Sequence, residues 1–175
     1  MSINTENIKL GPCKVEFGEG QDKIVLESTQ GGVVLTYEET SRIVNIDQYG
    51  TTPAKEIITG RTATIAVPFA EKDLDILKEL LPGSKLVVNA TDPTKKRVDV
   101  SAVKVIDLLK IAKKVVLIPL AEDTTPNDHV TLYKAAPRTT LNYTYSYDNE
   151  LITNTTFNGY PGADGNLIAF GDPDA

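Results

Sequence analysis

The sequence predicts a mainly β fold with one α-helix, a β-sandwich or partial barrel from which a long hairpin arm projects. Three observations predict it. Segments rich in β-branched and aromatic residues recur along the chain, separated by Gly- and Pro-bearing breaks. Only one stretch, residues 71–81, spaces its leucines helically. Two of the β segments, 33–47 and 56–67, far exceed the usual strand of about five or six residues.

Taken in order, residues 1–20 read as an N-terminal arm or strand, with scattered apolar residues from Ile8 to Phe17 broken by Gly11 and Pro12. Lys23–Leu26 is a short strand between glycine turns. The stretch 33–68 reads as a long hairpin, its two runs (VVLTYEETSRIVNID and EIITGRTATIAV) joined by a tip at 47–54. Strands of that length belong to a deep sheet or run out beyond the domain. The helix over 71–81 starts on Glu71 and Asp73, which suit a helix N-terminus, and Pro82-Gly83 ends it. Lys85–Asn89, Arg97–Val105 and Lys113–Leu120 read as strands, while Ile106–Ala112 fits either a helical turn or continued strand. Val130–Ala135 and Thr139–Tyr147 follow as two more strands, the second placing Leu141, Tyr143, Tyr145 and Tyr147 on one face. Leu151–Phe157 and Leu167–Phe170 close the sheet. At 175 residues the chain suits a single domain, 1–175, and no repeat of fixed period is visible.

Charge narrows the function. A net charge of −6 argues against affinity for nucleic-acid phosphates. The acids are concentrated late: beyond Arg138 there is no Lys or Arg, only Asp148, Glu150, Asp164, Asp172 and Asp174. Residues 95–114 are conversely basic; the two segments read as solvated faces, or alternatively as opposite patches that steer the docking of two copies of the chain. No apolar stretch is long enough for a membrane span, no secretory leader is evident at the N-terminus, and the lone Cys13 has no cysteine partner.

Catalytic patterns are not found in the sequence. His129 is the only histidine, which rules out a His-based metal cluster, and no serine sits in a nucleophile elbow. Paired acids such as Glu38/Glu39 and Asp73/Asp75 read as solvated surface. Gly162–Asn166 lacks the alternating acids of a calcium loop, and Gly18-Glu19-Gly20 lacks the third glycine of a dinucleotide turn. The expectation is a protein that is not an enzyme and carries no cofactor or metal.

The segment Asp47-Gln48-Tyr49-Gly50-Thr51-Thr52-Pro53, continuing through Ile58-Thr59-Gly60-Arg61 to the helix and Leu80-Leu81-Pro82-Gly83, resembles the tail tube, or major tail, proteins of long-tailed bacteriophages. The likeness covers residues 32–83 well and 115–172 loosely, by element order. It implies a structural subunit of the virion tail, made in the host bacterial cytoplasm. Such subunits self-assemble as hexameric rings stacked into a hollow tube, through which phage DNA passes without specific binding. Implied partners are copies of the chain itself, a tape-measure protein, and tail completion or tip proteins, with no membrane. The arm tip Asp47, Gln48, Tyr49, Gly50, Thr51, Thr52 and Pro53 then becomes the expected subunit contact, with Tyr49 as anchor and Pro53 limiting the entropy lost on docking. The alternative from another class is a carbohydrate-binding β-sandwich module of a virion or cell-surface protein, using the Tyr143/Tyr145/Tyr147 row.

Overall fold

The computed structural model describes residues 9–102 and 105–175. The expected N-terminal arm therefore lies partly outside the described residues, as do Val103 and Lys104. Cys13–Phe17 forms a strand, β1, and Ile24–Leu26 forms β2 beside it. Val34–Asn45 (β3) and Pro53–Phe69 (β4) are the two limbs of the long hairpin. Next come α1 (Leu74–Leu80), β5 (Lys85–Val88), β6 (Lys96–Asp99), α2 (Leu108–Ile111) and β7 (Lys113–Pro119). Strands β8 (Val130–Leu141), β9 (Thr153–Tyr160) and β10 (Ile168–Phe170) complete the chain.

One antiparallel sheet holds every strand but β5 and β6, in the order β2-β1-β7-β8-β9-β4-β3, with β10 paired to β8 beyond the end of β9. The sheet curls until it nearly closes. The chain leaving β2 runs along the end of β4, where Gln30 N–H donates to Pro68 O at 3.0 Å and Ala70 N–H to Ser28 O at 2.8 Å. Of the two architectures the sequence left open, the structure is the partial barrel. Closure removes exposed sheet edges from the body of the domain.

Alternation fills the barrel. On β4, Ala63, Ile65, Val67 and Phe69 point inward and are buried, while Thr62, Thr64 and Ala66 point out. Val15 and Phe17 of β1, Val115 and Leu117 of β7, Leu132 of β8 and Phe157 of β9 meet them. Phe17 and Phe157 lie on non-adjacent strands, yet their ring centroids are 5.0 Å apart, so they touch across the barrel.

The helix closes one end. Asp73 caps it by accepting from Asp75 N–H at 2.8 Å, so it starts at Leu74 rather than at residue 71. Its Leu80 is fully buried, and Ile76 packs against the same core. Thr139 of β8 donates to the Leu80 carbonyl at 2.6 Å and meets the buried Thr155 hydroxyl at 2.9 Å, which satisfies polar groups that burial would otherwise penalise. Glu79 receives Lys78 and, at 3.1 Å, Lys113, whose ammonium also sits 5.4 Å from the Phe17 ring centroid. Burial alone would raise the Glu79 carboxyl, but the hydrogen bonds and charges of Lys78 and Lys113 outweigh it and hold the group below its usual value.

Four expectations need correction. Arg97–Val105 is not a long strand: only Lys96–Asp99 pairs, with β5, in a separate two-stranded sheet. Residues 106–112 contain a second short helix, α2, capped by Asp107, so the helix over 71–81 is not the only one. The two strands expected over Val130–Ala135 and Thr139–Tyr147 are one, β8, which runs through Pro137 and ends at Leu141. Pro137 is tolerated because pairing with β7 ends at Ala135, which leaves that edge of β8 without a strand partner at Pro137 while β9 pairs the other. The last long strand is Thr153–Tyr160 rather than Leu151–Phe157.

Candidate assembly surface

The hairpin leaves the barrel. From Thr36 to Thr62 every residue is exposed apart from Val44 and Gly60, which are half-covered. Thr62 lies nine positions along β4 from Pro53, so the free ribbon reaches about 30 Å past the core at ~3.3 Å per residue. It also carries apolar side chains in solvent: Ile43, Ile46, Tyr49, Ile57 and Ile58 are all exposed. Strand β3 ends the sheet, so its outer backbone edge is unpaired along the arm.

A polar cluster lies at the root of the arm. Glu39 lies opposite Arg61 in the register; it accepts from Arg61 Nε at 3.0 Å and from the Tyr37 hydroxyl at 2.7 Å. Those two donors, Tyr37 first, hold the Glu39 carboxyl below its usual value, and the bond to Glu39 pushes Tyr37 up. Just above, Thr59 is an extra residue between the pairs Thr40↔Gly60 and Ser41↔Ile58, a β-bulge. The Thr59 hydroxyl donates to the Thr40 carbonyl at 3.2 Å across it.

Register then assigns the two faces of the arm, because directly opposed residues project on the same side. One face holds Ser41, Ile43, Glu56 and Ile58, with the Ser41 hydroxyl bonded to Glu56. The other holds Arg42, Val44, Lys55 and Ile57. Sequence reasoning concentrated on the tip and missed this second face, which is legible only once the bulge is known.

The tip is a compact turn. Asp47, Gln48 and Tyr49 form a single 3-10 turn, with Tyr49 N–H bonded to Ile46 O at 3.0 Å. Gly50 follows with φ of +59°, a conformation that side chains disfavour, and donates to Asp47 O at 3.2 Å. Thr51 and Thr52 carry the chain to Pro53, which opens β4; all seven residues are exposed.

Charges elsewhere are sorted differently from the expectation. The basic stretch 95–114 is largely neutralised within the chain: Lys95 pairs with Asp92, Lys96 with Asp75, Arg97 with Asp99, Lys113 with Glu79 and Lys114 with Glu19. It is not a free cationic patch. None of the acids beyond Arg138 is in an ion pair among the described residues. The tyrosine row is also divided. Tyr143 turns back, its hydroxyl 2.7 Å from that of buried Thr153, whereas Tyr145 and Tyr147 stand in solvent on a turn rather than on a sheet face.

The remaining candidates are quiet. Cys13 is half-buried in β1, and burial pushes its thiol up, away from the reactive thiolate. His129 sits immediately before β8, with its backbone carbonyl accepting from Gly171 N–H at 2.9 Å. Among the described residues no group of three or more His, Cys, Asp or Glu could hold a metal ion, and no helix is long and apolar enough to cross a membrane.

Neither a protein-family model nor a curated protein sequence matches the chain. Among solved structures, one chain of the "Cryo-EM structure of the anti-feeding prophage (AFP) baseplate, 6-fold symmetrised" aligns over 90% of this chain and 92% of its own, at 12% identity and a TM-score of 0.46.

Proposed function

We propose that the chain is a structural subunit that works by assembling with copies of itself rather than by catalysis, the β3–β4 arm of one copy lying on the next. One observation carries this reading: a long ribbon stands clear of the core with aliphatic side chains on both faces and an open backbone edge. A two-stranded ribbon is at best marginally stable alone in water. Exposed apolar surface of this kind marks an interaction site, and an open edge is a template for pairing. The body of the domain, by contrast, has curled its sheet nearly shut.

The finer reading is the tail tube subunit that the Asp47–Pro53 motif suggests: hexameric rings stacked into a hollow tail tube that conducts DNA into the host. An acidic chain suits a conduit for DNA, since a bore lined with cations would hold the phosphates. Tape-measure and tail completion or tip proteins would be its further partners, and the virion tail its location.

Negative-stain microscopy of the purified protein over a concentration series tests both levels. Rings or hollow tubes are the expected result, and deletion of Gln48–Pro53 should leave a folded protein that forms neither. A wild-type chain that stays monomeric at the highest concentration would overturn the assembly reading. Assemblies that are not tubes would overturn only the tail tube reading.

A further inference from the structure

Resting on the assembly reading, we infer that the arm's Arg42/Lys55 face docks on the acidic tyrosine turn, residues 145–150, of a second copy. The two surfaces are complementary, and the charged groups of neither, Arg42 and Lys55 or Asp148 and Glu150, are in an ion pair among the described residues.

The arm face presents two cations on an apolar floor. Arg42 lies opposite Ile57 and Val44 opposite Lys55, so the cations sit on a diagonal and the aliphatics fill the other corners. Diagonal neighbours in such a ladder are about 7–8 Å apart, far enough to limit repulsion between like charges. Neither cation has an ion-pair partner among the described residues. Glu56, next to Lys55 in sequence, projects from the opposite face and is bonded to Ser41. Most cations of the body, as shown above, are already neutralised locally. Lys72, Lys85, Lys110, Lys134 and Arg138 are also in no ion pair among the described residues, but the pair on the arm stands well outside the barrel.

The turn offers the converse. Ser146 and Asn149 bridge it, with Asn149 Nδ2 donating to Ser146 Oγ at 2.6 Å, which leaves Tyr147 and Asp148 at the apex. Tyr145 is 75% exposed and Tyr147 completely so, which puts two rings side by side in solvent next to the acids. Tyr143 anchors the turn through Thr153 and packs edge-on to Tyr145 at 6.4 Å. Asp148 and Glu150 flank the rings, and Glu150 is engaged only by Gln30 Nε2 at 3.2 Å. The protrusion is thus held in shape before it meets anything, which lowers the cost of binding.

Placed together, Tyr147 covers Val44 and Ile57, its ring lies between two cations, and Asp148 and Glu150 answer Arg42 and Lys55. Tyrosine and arginine are the residue types that dominate interface energies, and a cation near a ring face adds attraction. The two halves are different surfaces of one sequence, so the arm of each copy can meet the turn of the next in a heterologous, head-to-tail contact. Such contacts build closed rings or open filaments from a single kind of subunit.

Mixing tests this directly. Arg42→Glu/Lys55→Glu makes the arm face acidic, and Asp148→Lys/Glu150→Lys makes the turn basic. Each variant alone opposes like charges, so its assembly threshold should rise at least about tenfold. An equimolar mixture should assemble near the wild-type threshold, because every arm then meets a turn of opposite charge. Circular dichroism checks that both fold, and Arg42→Gln/Lys55→Gln serves as a milder variant expected to shift the threshold in the same direction. If either charge-reversed variant assembles as wild type does, or if the mixture stays apart while wild type assembles, the pairing is wrong and the assembly reading survives. Failure of wild type itself removes both. Assembly unaffected by Tyr145→Ala/Tyr147→Ala, together with loss of binding on a glycan array, would assign the turn to carbohydrate instead and overturn the proposal.

Discussion

Replacing Ser41–Thr59 with an Asn-Gly turn, which joins Thr40 to Gly60, separates what the arm does for the fold from what it does between copies. Asn-Gly suits a two-residue hairpin, and Thr40 and Gly60 already face each other in the register. The size of the effect follows from burial. A fully buried aliphatic contributes about 1.5–3 kcal/mol, but of the removed residues only Val44 is even half-covered. Every buried core residue lies outside the deleted stretch. The loss therefore falls in the range of surface changes, at most about 1 kcal/mol, or about 2–4 °C in Tm for a chain of this size. Thermal melting by circular dichroism reads the fold, and sedimentation velocity reads assembly. The expected result is a near-normal Tm in a protein that sediments as a monomer at every concentration. A fall in Tm of more than about 8 °C would mean that the arm belongs to the folding unit. Persistent assembly would mean that the interface lies elsewhere.

Two further predictions concern the arm's orientation and the helix. Inserting one alanine between Thr40 and Ser41 would give Thr59 a partner, remove the bulge and turn the two arm faces over relative to the barrel. The insertion should leave Tm within about 4 °C but abolish assembly, as seen by light scattering; assembly at the wild-type threshold would contradict the face assignment. The Glu79 carboxyl titrates below its usual value of 4.5 in the folded protein, so its stabilisation is complete above pH 4.5 and is lost as pH falls through the lower folded-state value. Glu79→Gln should accordingly be less stable than wild type at neutral pH and show a flatter acid limb in urea midpoints measured against pH. Parallel curves for the two proteins would refute the role of Lys78 and Lys113.

Much of the barrel was legible because alternation and turn residues are local signals. The hairpin 33–68 and the strands near Lys23–Leu26, Lys113–Leu120 and Leu167–Phe170 read from β-branched and apolar runs between Gly- and Pro-bearing breaks. The errors lie where a tertiary contact overrides the local pattern. Tyr143, Tyr145 and Tyr147 alternate as a strand would, yet Tyr143 bonds to Thr153 and the chain turns at Ser146–Asn149, because no neighbouring strand pairs beyond Leu141. Val98 and Val100 alternate too, but only four residues pair, and Lys96 is tied to Asp75 of the helix instead. The basic look of 95–114 dissolved because three of its five acid partners, Glu19, Asp75 and Glu79, are remote in sequence, beside the local Asp92 and Asp99.

The arm shows most clearly why a surface cannot be read from composition. Carried outward from Thr40↔Gly60 with no irregularity, the register would set Arg42 opposite Ile58 and Val44 opposite Glu56. Arg42 and Glu56 would then share a face, close enough to neutralise each other, while Lys55 would fall on the other side. The single extra residue at Thr59 shifts β4 by one place and sends Glu56 to the far face, where Ser41 holds it. Arg42 and Lys55 are left together and unneutralised. A bulge next to Gly60 is therefore the device that segregates charge on a ribbon whose residues sum to little net charge, and segregation is what lets the ribbon distinguish one docking face from the other. The same ribbon without it would be sticky through its isoleucines but indifferent to orientation, a poor property for the assembling subunit proposed above.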